Sequence, residues 1–144
     1  MTAQWKCPRC GAKLVQKNLS HACGDYSVEK YLADKSERGR DLFGRFVKLI
    51  ARCGPYDVAP AKTRVAFMEQ VRFASVNRVR DEYIDVHFVL PRTIESSRLS
   101  KVEHVGNVYV HHLRLRDRRD FDRELASWLK QSYREYGQRS VRVR

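Results

Sequence analysis

The sequence predicts an α+β domain: helices first, then a run of about four to five antiparallel strands, then one closing helix. Three observations carry that prediction. Up to Cys53 the apolar residues recur every three to four positions, the spacing of a helix that buries one stripe. From the "KTRVAFM" stretch onward the spacing falls to two, the period of a strand with one buried face. After Asp117 the longer period returns. With 144 residues, 42% of them hydrophobic, the chain suits one packed domain plus a small appendage.

The appendage comes first. Cys7, Cys10 and Cys23 crowd into the first 23 residues, and Cys53 stands apart. Cys7-Pro8-Arg9-Cys10-Gly11 can present two thiolates from one tight turn, with Gly11 giving the backbone its freedom. His21 and Cys23 return as a second pair, and Leu14 and Val15 read as a short strand between them. Cys7, Cys10, His21 and Cys23 therefore make a tetrahedral zinc set with no position left open, which is a structural site. A segment of this size needs such a staple because it cannot build a core. The competing readings are a redox Cys-x-x-Cys with His21 simply exposed, or Cys53 in place of His21. Cys53 falls at the end of a helical stripe and fits better as a buried apolar residue. The expected division is a zinc knuckle over 1–25, an α+β domain over 26–137 and a mobile basic tail over 138–144.

Within the domain, Ser27 is positioned to cap a short helix ending near Lys35. A second helix carries Leu42, Phe43, Phe46, Val47, Ile50 and Cys53 on one stripe and stops at Gly54-Pro55. "KTRVAFM" and "VRFASVN" read as strands separated by Glu69 and Gln70. "YIDVHFVL" alternates cleanly, with Ile84, Val86, Phe88 and Leu90 on one side and Asp85 and His87 on the other. In "VYVHHLRLR", Tyr109, His111, Leu113 and Leu115 share a face, and Val108, Val110, His112, Arg114 and Arg116 share the opposite one. Asp117 or Asp120 is expected to cap a last helix with Phe121, Leu125, Trp128, Leu129, Tyr133 and Tyr136 on its buried stripe, ended by Gly137.

The charge balance limits the partner. Lys and Arg number 29 against 17 Asp and Glu, a formal net charge of +12. That excess concentrates polyanions near the surface and favours nucleic acid, or simply keeps the protein soluble. No apolar run is long enough to span a bilayer and no secretory signal opens the chain, so a cytoplasmic location is expected. Lys62, Thr63 and Arg64 at a strand start are suited to hold an anion, and equally suited to blunt a sheet edge. Arg72, His87, His112 and Arg114, on short strands that can neighbour one another, are the candidate anion- or nucleic-acid-binding face; solvated cross-strand ion pairs are the plainer alternative. His111 shares the parity of Leu113 and Leu115 and reads as a core histidine. Catalysis is poorly supported: there is no phosphate-cradling glycine loop or nucleophile elbow, and Asp85 is the only clear strand carboxylate.

As an ordered set, "WKCPRCG", "VAPAKTRVAF", "VRFASVN", "IDVHFVLP", "YVHHLRL" and "ELASWLKQSY" resemble the domain-of-unknown-function family 5655 in its zinc-knuckle form, from Trp5 to about Gly137. The resemblance implies a small bacterial or archaeal α+β domain and brings no catalytic residues with it. The expectation is a zinc-stabilised basic binding module whose partner is nucleic acid or another polyanion. The alternatives are an anion-binding domain with a pocket at Lys62, Arg64, His87 and Arg114, and, less favoured, a metal-assisted hydrolase using Asp85.

Overall fold

The computed structural model describes residues 26–138, together with the backbone pairing of two short segments before them. Those segments are β1 (Trp5–Lys6) and β2 (Lys13–Leu14), which pair antiparallel with Trp5 opposite Leu14. The four expected zinc ligands and residues 139–144 of the tail lie outside the described residues.

The Ser27 hydroxyl accepts the Lys30 N–H and starts helix α1 (Val28–Leu32). Ser36 does the same for Gly39 at the start of α2 (Glu37–Cys53). Each hydroxyl satisfies an amide that the first turn of a helix leaves without a partner. Leu42, Phe43, Phe46, Leu49 and Ile50 form the buried stripe of α2. Gly54 ends it with φ of 144°, in the region glycine alone enters freely. A Cβ there would also meet the Tyr133 hydroxyl, which donates to Pro55 O at 2.6 Å.

The main sheet has six antiparallel strands in the order β3-β4-β5-β6-β8-β7: β3 (Asp57–Pro60), β4 (Val65–Met68), β5 (Arg72–Val79), β6 (Ile84–Leu90), β7 (Leu99–Val105) and β8 (Val108–Leu115). The expected four to five strands therefore become six, because two edge strands escape pattern reading. β3 is four residues long and ends in proline, and β7 is exposed along most of its length with no apolar alternation. At an edge the outer side is solvated, so no hydrophobic code is needed there.

Helices α2 and α3 (Arg123–Ser132) cover one face of the sheet. Val65, Phe67, Ala74, Val76, Ile84, Val86, Phe88, Leu113 and Leu115 line that face and form the core with Phe46, Ile50, Leu125 and Leu129. The last helix is not capped by Asp117 or Asp120 as expected. Those two cap a 3₁₀ turn at Arg118–Asp120, and Asp122 accepts the Leu125 N–H to start α3. The turn consumes the earlier aspartates because the chain must change direction after β8. A π turn, Tyr133–Gly137, closes the helix.

Two devices, one a side chain and one backbone, lock α3 and the π turn after it to the sheet. The buried Ser132 hydroxyl accepts the Val89 N–H at 3.2 Å and lies within donating distance of Val89 O and Phe73 O, at 2.6 and 3.0 Å. Gly137 O accepts Gln70 N–H and Val71 N–H, and a Cβ on Gly137 would lie 2.9 Å from the Phe73 ring. Among the described residues no helix is long and apolar enough to cross a membrane.

Candidate nucleic-acid interface on the open sheet face

Among the described residues no helix covers the second face of the sheet. Strand alternation puts the polar residues of β6 and β8 there, and the register brings them into two cross-strand pairs: Asp85 opposite Arg114, and His87 opposite His112. On β5 the pattern breaks. Val76 pairs with Val86 and Arg78 with Asp85, so Asn77 is an extra residue, a β-bulge. The bulge places Asn77 and Arg78 both toward this face: Asn77 reaches His87, and Arg78 stands opposite Asp85. Apolar residues three apart, Val76 and Val79, are the sequence signal for it.

Across the face runs a chain of polar contacts. Asn77 Nδ2 donates to His87 Nδ1 at 2.8 Å in the assigned orientation. The His87 and His112 rings lie 5.4 Å apart, and His112 Nε2 bonds Glu103 Oε1 at 2.6 Å. Burial pushes the His87 pKa down to about 4, helped by His112 and by the Arg64 guanidinium and opposed by Glu103. His87 is thus neutral at physiological pH, in keeping with a ring nitrogen that accepts. The hydrogen bond from His112 holds the Glu103 carboxyl below its usual value. Asn77 Oδ1 is buried and has no hydrogen-bond partner among the described residues.

Beside that chain lies an open cleft of about 580 Å³ lined by Arg78, Lys101, Arg114 and Arg116, with Asp85, Ser100 and His112 among the other lining residues. Arg114 grips Asp85 with two bonds of 2.8 and 3.2 Å and lies 3.7 Å from the centre of the Tyr83 ring. The bond to Asp85 raises the Arg114 pKa further. This clamp fixes the guanidinium in place and neutralises the one carboxylate lining the cleft. Arg78 and Arg116 make no ion pair among the described residues.

The structure brings together three of the expected binding residues, His87, His112 and Arg114. Arg64 sits at the margin, close enough to act on both His87 and Arg72. Lys62 and Thr63 are exposed in the β3–β4 turn, which is closed by Ala61 N–H on Arg64 O, and they do not line the cleft. Arg72 pairs in register with Met68, at the far end of β5 from Arg78. Its pKa is lowered, first by burial and then by Arg64. Sequence reasoning missed Asn77, Arg78, Lys101 and Glu103 as members of this face, and placed Arg116 on it without naming it a binding residue. Of these, Lys101 and Glu103 were hidden because β7 itself was.

His111 is fully buried on the helix-covered face and stacks parallel to Phe88 at 5.0 Å. Its Nε2 accepts the Ile94 N–H and its Nδ1 donates to Tyr109 O, and burial lowers its pKa. Cys53 is half-buried and donates weakly to Leu49 O, and burial pushes its thiol up to about 11. A thiol held protonated makes a poor metal ligand or nucleophile. Among the described residues no group of three or more His, Cys, Asp or Glu side chains is placed to hold a metal ion.

The family described as "Domain of unknown function (DUF5655)" matches residues 28–135, about three quarters of the chain, and the protein belongs to that family. No curated protein and no solved structure matches it.

Proposed function

We propose that this protein is a zinc-stabilised basic binding module that contacts nucleic acid through the open face of its sheet. The observation that carries the reading is the cleft: four cations, Arg78, Lys101, Arg114 and Arg116, line it with one carboxylate, Asp85, which Arg114 holds, while Lys101 also pairs with Glu103 at 3.4 Å. Such a surface suits a run of phosphates. Among the described residues Arg78 and Arg116 make no ion pair that a phosphate would have to displace, Arg116 lying 5.9 Å from the centre of the Tyr83 ring, and the Tyr83–Arg114 stack keeps a planar cation fixed at the margin. The overall charge of +12 adds a long-range attraction of the same sign.

The zinc belongs to the proposal through Cys7, Cys10, His21 and Cys23. Its support is their spacing, and the antiparallel pairing of β1 with β2 on either side of the Cys7–Cys10 pair. The ion would act as a structural staple, and no chemical step is assigned to it.

The test is binding of a fluorescent single-stranded oligonucleotide across a salt series, alongside zinc content per chain. Affinity should fall steeply as salt rises, because bound phosphates release counterions. Arg78→Ala and Arg116→Ala should each weaken binding and flatten the salt slope. Affinity for inorganic phosphate that persists at moderate salt, without oligonucleotide binding, would favour a small-anion site on the same face. Protein without zinc would remove the knuckle from the reading.

A further inference from the structure

The two edges of the six-stranded sheet are built differently. β3 is short and closed by Pro60, the usual protection against pairing with another chain. β7 is seven residues long, has no proline, and exposes Val102 and Val105 at 39% and 53%. These are two of the four exposed large hydrophobic side chains among the described residues. Its neighbour on one side is β8, and among the described residues its other side is an edge.

The direction of the free backbone groups follows from the hairpin. Val105 and Val108 pair across the two-residue loop Gly106-Asn107, so their N–H and C=O groups point at each other. By the alternation of an antiparallel ladder, Lys101 and Glu103 also direct theirs toward β8, whereas Val102 and His104 direct theirs outward; Ser100 is the extra residue of a register shift between Leu99 and Lys101. A second β7 can dock antiparallel in several registers. Centring the two-fold axis on Glu103 or on Lys101 sets like charges face to face. Centring it on Val102 sets Val102 opposite its own copy, with both outward N–H groups meeting C=O groups. It also places Lys101 opposite the partner's Glu103, and Glu103 opposite the partner's Lys101.

We propose that this protein self-associates through β7, antiparallel and centred on Val102, joining two sheets into one of twelve strands. Lysine on an edge strand ordinarily repels a second edge; here Glu103, two residues on and on the same face, already pairs with Lys101 at 3.4 Å within one chain, and the docked edges exchange that pair for two between chains in a charge pattern complementary to itself. The pairing covers the exposed Val102 on one face. On the other it sets two Lys–Glu pairs beside the two basic clefts, because Ser100 and Lys101 line both the edge and the cleft. The joined sheet presents the two clefts side by side. This inference stands on the edge strand and not on the nucleic-acid reading.

Sedimentation of the full-length protein over a concentration series, without nucleic acid, tests it. Wild type should approach twice the 16.9 kDa of one chain as concentration rises. Val102→Pro removes an outward N–H that the single chain does not use, so it should leave a folded monomer. Glu103→Lys should also give a monomer, and Lys101→Glu/Glu103→Lys should restore the dimer by reversing every charge pair together. Circular dichroism and the thermal midpoint of each variant show that the fold is retained. A wild type that stays monomeric at the highest soluble concentration overturns the proposal. So does a dimer that survives Val102→Pro, or a double reversal that stays as monomeric as Glu103→Lys.

Discussion

His111 and His112 are adjacent in the chain and live in opposite worlds. His111 faces the helices, has no exposed surface, and spends both ring nitrogens on backbone groups. His112 faces the open side, bonds a carboxylate, and lines a cleft of cations. The same division runs through β6, where Ile84, Val86 and Phe88 are buried while Asp85 and His87 face the second side. One face of this sheet packs against the helices, and the other carries the polar pairs, with His87 partly buried among them. Substitutions on the two should therefore differ in what they cost.

The largest effect is expected on the covered face. Phe46 is fully buried between helix and sheet, so Phe46→Ala should lower the unfolding free energy by about 3–5 kcal/mol in urea titration. A loss below 1 kcal/mol would mean that this core collapses around the cavity. Protonation comes next, and it tests a residue of the open side. The folded His87 pKa of about 4 lies below the ordinary 6.5, so the unfolded chain binds the proton more readily. That contribution to stability is fully present above pH 6.5 and is lost as pH falls toward 4, by on the order of 3 kcal/mol. His87→Gln should flatten the stability-against-pH profile over that window. The slope it leaves should include the share of buried His111, whose pKa is lowered in the same direction.

Two glycines sharpen the contrast at smaller scale. Gly137→Ala drives a methyl into Phe73 and should destabilise by about 1–3 kcal/mol. Gly44→Ala, within α2 and with nothing near its added methyl, should stabilise by about 0.5–1 kcal/mol. Equal effects from the two would show that local helix preference, and not close approach to the sheet, decides both. The smallest stability change is expected at the cleft. Arg78→Ala should shift unfolding by no more than about 0.5 kcal/mol while it weakens oligonucleotide binding. A large loss of stability would place Arg78 in the framework instead of the binding surface.

Much of the covered face was legible beforehand, since burial writes itself into the sequence as a period. The α2 stripe, the alternation of β6 and β8, the core position of His111 and the stop at Gly54-Pro55 all follow from it. The open face was legible only in part. His87, His112 and Arg114 could be read from strand parity. Arg78 and Asn77 depend on a bulge, and Lys101 and Glu103 lie on a strand with no apolar alternation to announce it. Lys62, Thr63 and Arg72 were grouped with the site by residue type, and the turn and strand that hold them keep them away from the cleft.

By itself, then, the sequence determined the α+β class, the buried stripe of the main elements and the sign of the chain's own net charge. Those depend on composition and on period, both local to the chain. Which polar side chains meet was decided by tertiary structure. β8, and not the sequence-adjacent β7, lies beside β6, so His87 faces His112 and Asp85 faces Arg114 across more than twenty residues of chain. The physical reason is that register is set by packing the apolar side against the helices. The polar side inherits its neighbours from that fit, with no pattern of its own to foretell them.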